Sequence, residues 1–161
     1  MIQVANSEFD FLRDSQARVD VIEGDARLTL DRERDQQFDV LVIDAFSGDS
    51  IPIHLLTREA FATYFRHLKP DGVLAAHVSN QYLDIGSVVE RMGLEFAKQA
   101  IVVASPGNSE SRSLPAIWVL LTSSEGLRQN PRLQSLARSA ASKPAADVWT
   151  DDYSNLFRVL K

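Results

Sequence analysis

Five aspartates stand where an α/β chain gathers side chains against a polar ligand: Asp25, Asp44, Asp49 and the neighbours Asp151 and Asp152. Asp44 is the most telling. It closes the run Phe38 to Ile43, which is apolar apart from Asp39, and a near-continuous Val/Ile/Leu run is the pattern of a parallel strand covered on both faces. An acid at the end of such a strand lies in the crevice at the carboxyl edge of the sheet, where open α/β folds bind ligands. A carboxylate is costly to desolvate unless it is paired, so Asp44 implies a cationic or hydroxyl-bearing ligand. In a cleft these acids can accept hydrogen bonds from a ribose or an exocyclic amine, hold an ammonium group, or take a proton from an attacking amine. Each also has a plainer reading. Asp25 and Asp44 can close turns through Asx-type bonds, and Asp151-Asp152 can cap the turn at Tyr153.

Other residue types add less. His54, His67 and His77 do not have the spacing of a metal site, and the acids show no magnesium- or calcium-ligand pattern, so no metal is expected. His67 reads as structural at a helix C-terminus, and His54 as a solvated loop residue. His77 lies in a strand that approaches the crevice; it is either a satisfied core histidine or a substrate contact. Ser79-Asn80-Gln81-Tyr82 could hydrogen-bond a substrate, with Tyr82 as a wall, or form an ordinary strand-to-helix loop. There is no cysteine, which excludes disulfides, thiol nucleophiles and thiolate metal sites. No Gly-rich phosphate loop is present, and AFSGD is not a nucleophile elbow.

The surrounding sequence must position these groups. At 161 residues with 45% hydrophobic and 24% charged content, the chain fits one domain with a real core. A net charge of −5 without a Lys/Arg block argues against nucleic acid or an anionic membrane as partner. No apolar run reaches the roughly 20 residues of a spanning helix. Glu8, Asp10 and Asp14 near the start do not suit a signal peptide, so a cytoplasmic location is expected.

Hydrophobic spacing predicts a short helix over Ile2 to Arg13 and a short strand over Val19 to Ile22, closed by Glu23-Gly24-Asp25. Asp25 to Gln37 reads as a partial helix or loop. After the strand at Phe38, Thr57 caps a helix from Arg58 to Leu68, with Leu56 and Phe61 spaced as a hydrophobic staple. Phe61, Tyr64, Phe65 and Leu68 form one apolar stripe. Lys69-Pro70-Asp71-Gly72 reads as a turn into a strand from Val73 to Val78. A helix over about Gly86 to Lys98 follows, then an antiparallel strand pair, Ala100 to Ala104 and Ala116 to Leu121, at the end of the sheet. Asn130 and Pro131 start a last helix through about Ala141. The alternation implies a single three-layer α/β domain over residues 1–161 with a mostly parallel sheet. The right-handed crossover rule sets strands 38–44 and 73–78 side by side, with Asp44 and the segment from His77 to Asp84 facing one crevice.

The blocks VIEGDAR, FDVLVIDAFSGDSIP, LTREAFATYFRHLKPDGVLAAHVSN and the terminal WTDDYSN together resemble the spermidine synthase-like family. The resemblance implies the class I S-adenosylmethionine-dependent transferase fold: a Rossmann-like, mostly parallel sheet with an antiparallel C-terminal pair, here without its first two strands and their Gly-rich loop. It implies that Asp25 with Ala26 contacts the adenine end of a nucleoside. It also implies that Asp44, as first member of a D-x-x-D pair, stands beside the reacting amine and the cofactor. The second member of the pair falls at Ser47, with Asp49 as a stand-in, and the diamine-holding glutamine of true synthases falls near His77. The implied activity is aminopropyl transfer from decarboxylated S-adenosylmethionine to a small-molecule amine, with Asp44 and Asp49 catalytic and His77, Tyr82, Asp151 and Asp152 on the substrate. Two rivals are methyl transfer from S-adenosylmethionine and a non-catalytic fragment or assembly module. With the first strands missing, the apolar edge of strand 38–44 is expected to pair with the 19–25 segment or with a second copy in a homodimer.

Overall fold

The computed structural model describes residues 7–45, 52–110, 112–138 and 146–161. Five strands form one sheet in the order β1-β2-β4-β3-β5. They are β1 (Phe38–Ile43), β2 (Leu68–His77), β3 (Gln99–Ser105), β4 (Ala116–Thr122) and the two-residue β5 (Ala137–Arg138). β1 and β2 are parallel, as the crossover rule requires, whereas β4 runs antiparallel to both β2 and β3. Three of the four long strands therefore point the same way, and β4 is the reversed member of the C-terminal pair.

Each principal helix starts at a side-chain cap that satisfies an orphan amide. Asp25 accepts from Leu28 N–H at the head of α1 (Ala26–Arg32). Thr57 accepts from Ala60 N–H at α2 (Arg58–His67), and Asp84 from Ser87 N–H at α3 (Ile85–Glu95). The short α4 (Glu125–Arg128) and α5 (Pro131–Leu136) follow β4. Of the predicted stripe, Phe61 and Tyr64 are buried on α2, Phe65 is half-buried, and Leu68 is buried as the first residue of β2. Ala60, Phe61 and Tyr64, with Val88, Val89 and Met92 of α3, share a core with Leu74, Ala76, Val119 and Leu121 on one face of the sheet. Trp149, from the C-terminal segment, is fully buried in the same cluster.

The opposite face is different. Strand alternation and register set Val40 with Val73, and Val42 with Ala75 and Leu120, on that side. None of these five is buried, and Val40 and Val42 are more than half exposed. Among the described residues β1 pairs only with β2, so its other edge is free.

Several sequence expectations are corrected. Val19 to Ile22 is not a strand and does not cover that edge; Val19, Val21 and Ile22 are exposed. The residues have β-forming side chains, but an extended segment becomes a strand only when a neighbour takes its hydrogen bonds. Of the helix foreseen over Ile2 to Arg13, the described part keeps Ser7 and Glu8 as helix and continues in a bend and turn from Asp10 to Asp14. Lys69-Pro70-Asp71-Gly72 does not precede the strand but breaks its register: Phe38 pairs Leu68 and Val40 pairs Val73, so the intervening β2 residues bulge outward. The last helix stops at Leu136 because Ala137 and Arg138 pair with Val103 and Val102 instead.

Candidate active site

β1 delivers Asp44 to the carboxyl end of the sheet, where its side chain is 56% exposed. β2 ends beside it at His77. The imidazole Nδ1 lies 2.8 Å from Asp44 Oδ1, and its Nε2 lies 2.8 Å from Ser79 Oγ. Ser79 Oγ in turn accepts from the Ile117 backbone N–H at 2.8 Å. The Trp118 ring stacks on the imidazole at 4.9 Å between centroids. Trp118 is the cross-strand partner of His77, so strand pairing alone brings the two rings together.

Next to Asp44 is a cavity of about 240 Å³, lined by Ala26, Leu30, Leu41, Val42, Ile43, Asp44, Ala45, Leu55 and Tyr64. Its wall is mainly apolar, and one carboxylate stands at its margin. Burial pushes the Tyr64 phenol well above its usual range, and its hydroxyl donates to the Leu55 carbonyl at 3.2 Å. The cavity lies below the roughly 300 Å³ at which drug-sized ligand pockets begin. Space for one flat ring against aliphatic side chains is what such a volume offers.

A second cluster centres on Arg27, in the first turn of α1. Its guanidinium grips Asp151 with two nearly parallel bonds, Nη1 to Oδ1 at 2.7 Å and Nη2 to Oδ2 at 2.6 Å, the strong fork-to-fork geometry. The Thr57 hydroxyl also donates to Asp151 Oδ1, at 2.8 Å, and Arg27 reaches the His54 carbonyl at 2.8 Å. The hydrogen bonds from Arg27 hold the Asp151 carboxyl down at about 2. One residue before α1, Asp25 caps the helix with Oδ1 and meets His54 Nε2 with Oδ2 at 2.8 Å. The Leu28 amide, and next the His54 bond, hold the Asp25 carboxyl below the ordinary carboxylate range. Arg27, Ile53, His54, Thr57, Thr150, Asp151, Asp152, Tyr153 and Ser154 enclose a cavity of about 390 Å³.

Ala26 and Asp44 thus line one cavity, and Asp151 and Asp152 line another. Asp151 spends both oxygens on Arg27 at the wall of its cavity, and Asp25 spends its own on Leu28 N–H and His54. His77 has both ring nitrogens partnered. Tyr82 sits on the turn after β2 with its ring more than half exposed. Asp49 lies outside the described residues.

No family model matches the chain. Over 159 aligned residues, 96% of its length, it is 30% identical to the polyamine aminopropyltransferase of Vibrio vulnificus (strain CMCP6), covering 50% of that protein. Its fold aligns with a probable spermidine synthase from Corynebacterium glutamicum ATCC 13032 at a TM-score of 0.50 and 25% identity, over 73% of the chain and 41% of the neighbour. Over the part of these two proteins that it spans, the chain is similar to them in sequence and in fold. The spermidine synthase from Thermotoga maritima, at a TM-score of 0.57 and 19% identity over 81% of the chain and 47% of that structure, supports the same fold. The chain spans about half the length of the curated relative it matches.

Arg27 escaped the sequence reading, and so did the roles of Thr57 and His54 in its cluster and of Ser79 beside His77. Arg27 sits within the GDAR block and offers a lone cation next to two acids, a signal that was there to be weighed. Thr57 was legible only as a cap. The His54 bond to Asp25 and the Ser79 bond to His77 depend on loop paths that no local pattern encodes.

Proposed function

We propose that this chain supplies the amine-side catalytic half of an aminopropyltransferase, which moves the aminopropyl group of decarboxylated S-adenosylmethionine onto a small-molecule amine. The observation that carries the reading is Asp44: an exposed carboxylate at the carboxyl end of β1, at the margin of an apolar cavity. It does so in a chain 30% identical to a polyamine aminopropyltransferase. In the transfer, the nitrogen lone pair of the neutral amine attacks the carbon beside the sulfonium. The carbon–sulfur bond breaks toward sulfur, leaving methylthioadenosine, and the surplus proton on nitrogen passes to Asp44. Such a displacement needs alignment and proton removal more than covalent help.

The described residues suit part of the nucleoside substrate. The cavity beside Ala26 and Asp44 fits the flat, apolar faces of a base, while Asp25 reads an exocyclic amine only once His54 leaves its Oδ2. Asp49 belongs to this proposal as a second acid, with Tyr82 and Asp152 on the acceptor side. The free edge of β1 and the open sheet face support a narrower statement for the isolated polypeptide: its site is incomplete, and a further polypeptide or a second copy completes it. A homodimer through that edge and a cytoplasmic location form part of the same reading.

Calorimetric titration with decarboxylated S-adenosylmethionine, S-adenosylmethionine and methylthioadenosine tests binding. Turnover of the complete protein that yields methylthioadenosine supports the proposal, and Asp44→Asn is expected to abolish that turnover while leaving the fold intact. S-adenosylhomocysteine as product, or full activity of Asp44→Asn, would overturn it.

A further inference from the structure

A row of hydrogen bonds enters Asp44 from behind, and its direction can be worked out atom by atom. A carboxylate is acceptor-only, so the proton between Asp44 Oδ1 and His77, 2.8 Å apart, sits on Nδ1. In a neutral imidazole Nε2 is then an acceptor, and the group 2.8 Å from it is the Ser79 hydroxyl. That hydroxyl already accepts the Ile117 backbone N–H at 2.8 Å, so its own proton is free to turn toward Nε2. All bonds therefore run one way, from the β4 main chain through Ser79 and His77 to Asp44. The opposite arrangement, with the proton on Nε2, would set a ring lone pair against the carboxylate.

We propose that His77 is a positioning residue: a neutral imidazole held as its Nδ1–H tautomer, which ties down Asp44 Oδ1 and leaves Oδ2 as the oxygen offered to the crevice. The Trp118 ring, stacked at 4.9 Å and inclined by 23°, holds the imidazole plane. Strand pairing between His77 and Trp118 thereby fixes the rotamer of an acid on a third element. The role rests on the aminopropyl-transfer reading only for the identity of what meets Oδ2; the array itself does not depend on it. Ser79, which the sequence offers as one of four loop residues able to hydrogen-bond a substrate, is instead the link that joins the array to the sheet.

His67 provides an internal contrast. It is fully buried, its Nδ1 accepts the Gln36 backbone N–H at 3.3 Å, and its Nε2 lies 2.8 Å from the Leu30 carbonyl. The same reasoning makes it the Nε2–H tautomer. Long-range proton–nitrogen correlation spectra of the histidine-labelled chain, taken where imidazoles are neutral, should show opposite tautomers for His77 and His67. In Asp44→Ala, His77 should shift toward Nε2–H while His67 stays unchanged. In the complete enzyme, Ser79→Ala should lower kcat about ten- to a hundredfold, the order of loss that misplacement of a reacting group produces. The KM for the nucleoside should hold, and Ser79→Thr should restore part of the rate. An Nε2–H tautomer at His77 in the parent chain, or no tautomer response to Asp44→Ala, would overturn the proposal whatever reaction is found. An Nδ1–H tautomer in an enzyme that transfers no aminopropyl group would leave the array standing and overturn the reaction instead.

Discussion

Replacing Asp151 by Asn tests whether the Arg27 fork holds the C-terminal segment against α1 by charge. The side chain keeps its shape, and its remaining oxygen can still accept from Thr57. Asp151 is held at about 2 against an ordinary 3.8, and at 1.36 kcal/mol per unit that difference amounts to about 2.4 kcal/mol. Asp151 is 44% exposed and Arg27 only 13%, so solvent screening reduces the contribution to about 1 kcal/mol. The folded-state pKa lies below the unfolded one. The stabilisation is therefore complete above about pH 4, and it drains away as the pH falls through about 2. Urea unfolding should place D151N about 1 kcal/mol below the parent at neutral pH, and a thermal melt about 2–4 °C below it. The gap should narrow on approaching pH 3. A gap that stayed constant across the acid range would refute the electrostatic reasoning and leave packing or hydrogen-bond geometry as the cause.

Thr57→Ala removes both the α2 cap and a donor to Asp151, and should cost about 1–2 kcal/mol by denaturant titration. Because the two sites share Asp151, the loss should be smaller when measured in the D151N background. Phe61→Ala empties a fully buried position and should cost about 3–5 kcal/mol; a loss under about 1 kcal/mol would show that α2 does not pack as described. Val42→Lys, on the open face of β1, should leave stability within about 0.5 kcal/mol while weakening self-association in sedimentation runs, since a charge on a free edge discourages strand pairing. Unchanged association would direct attention away from β1.

How much of this was legible depended on whether the controlling interaction was local. The strand ending at Asp44, the α2 stripe, the Thr57 cap and the β3–β4 pair are written in periodicity and neighbouring residues, and each occurs in the structure. Val19 to Ile22 has the side chains of a strand but no partner strand among the described residues, and a strand requires a second segment that its own residues cannot specify. The end of α5 at Leu136 follows from pairing of the next two residues with β3, again a distant cause. Asp151 was visible as an acid, yet its partner lies 124 positions away. Composition indicates that a carboxylate needs a counter-charge without saying which arginine supplies it.

The unpaired flank of β1 bears on the motion of Asp44. A strand laddered on both sides moves with its sheet, whereas one laddered on a single side has outward amides open to solvent and opens locally at small cost. Deuterium should accordingly enter alternate amides of Val40 to Ile43 far faster than those of β4, which has neighbours on both sides. Whatever occupies that flank would stiffen the stem of the carboxylate as well as enlarge the binding surface, so that assembly and readiness for chemistry become one event.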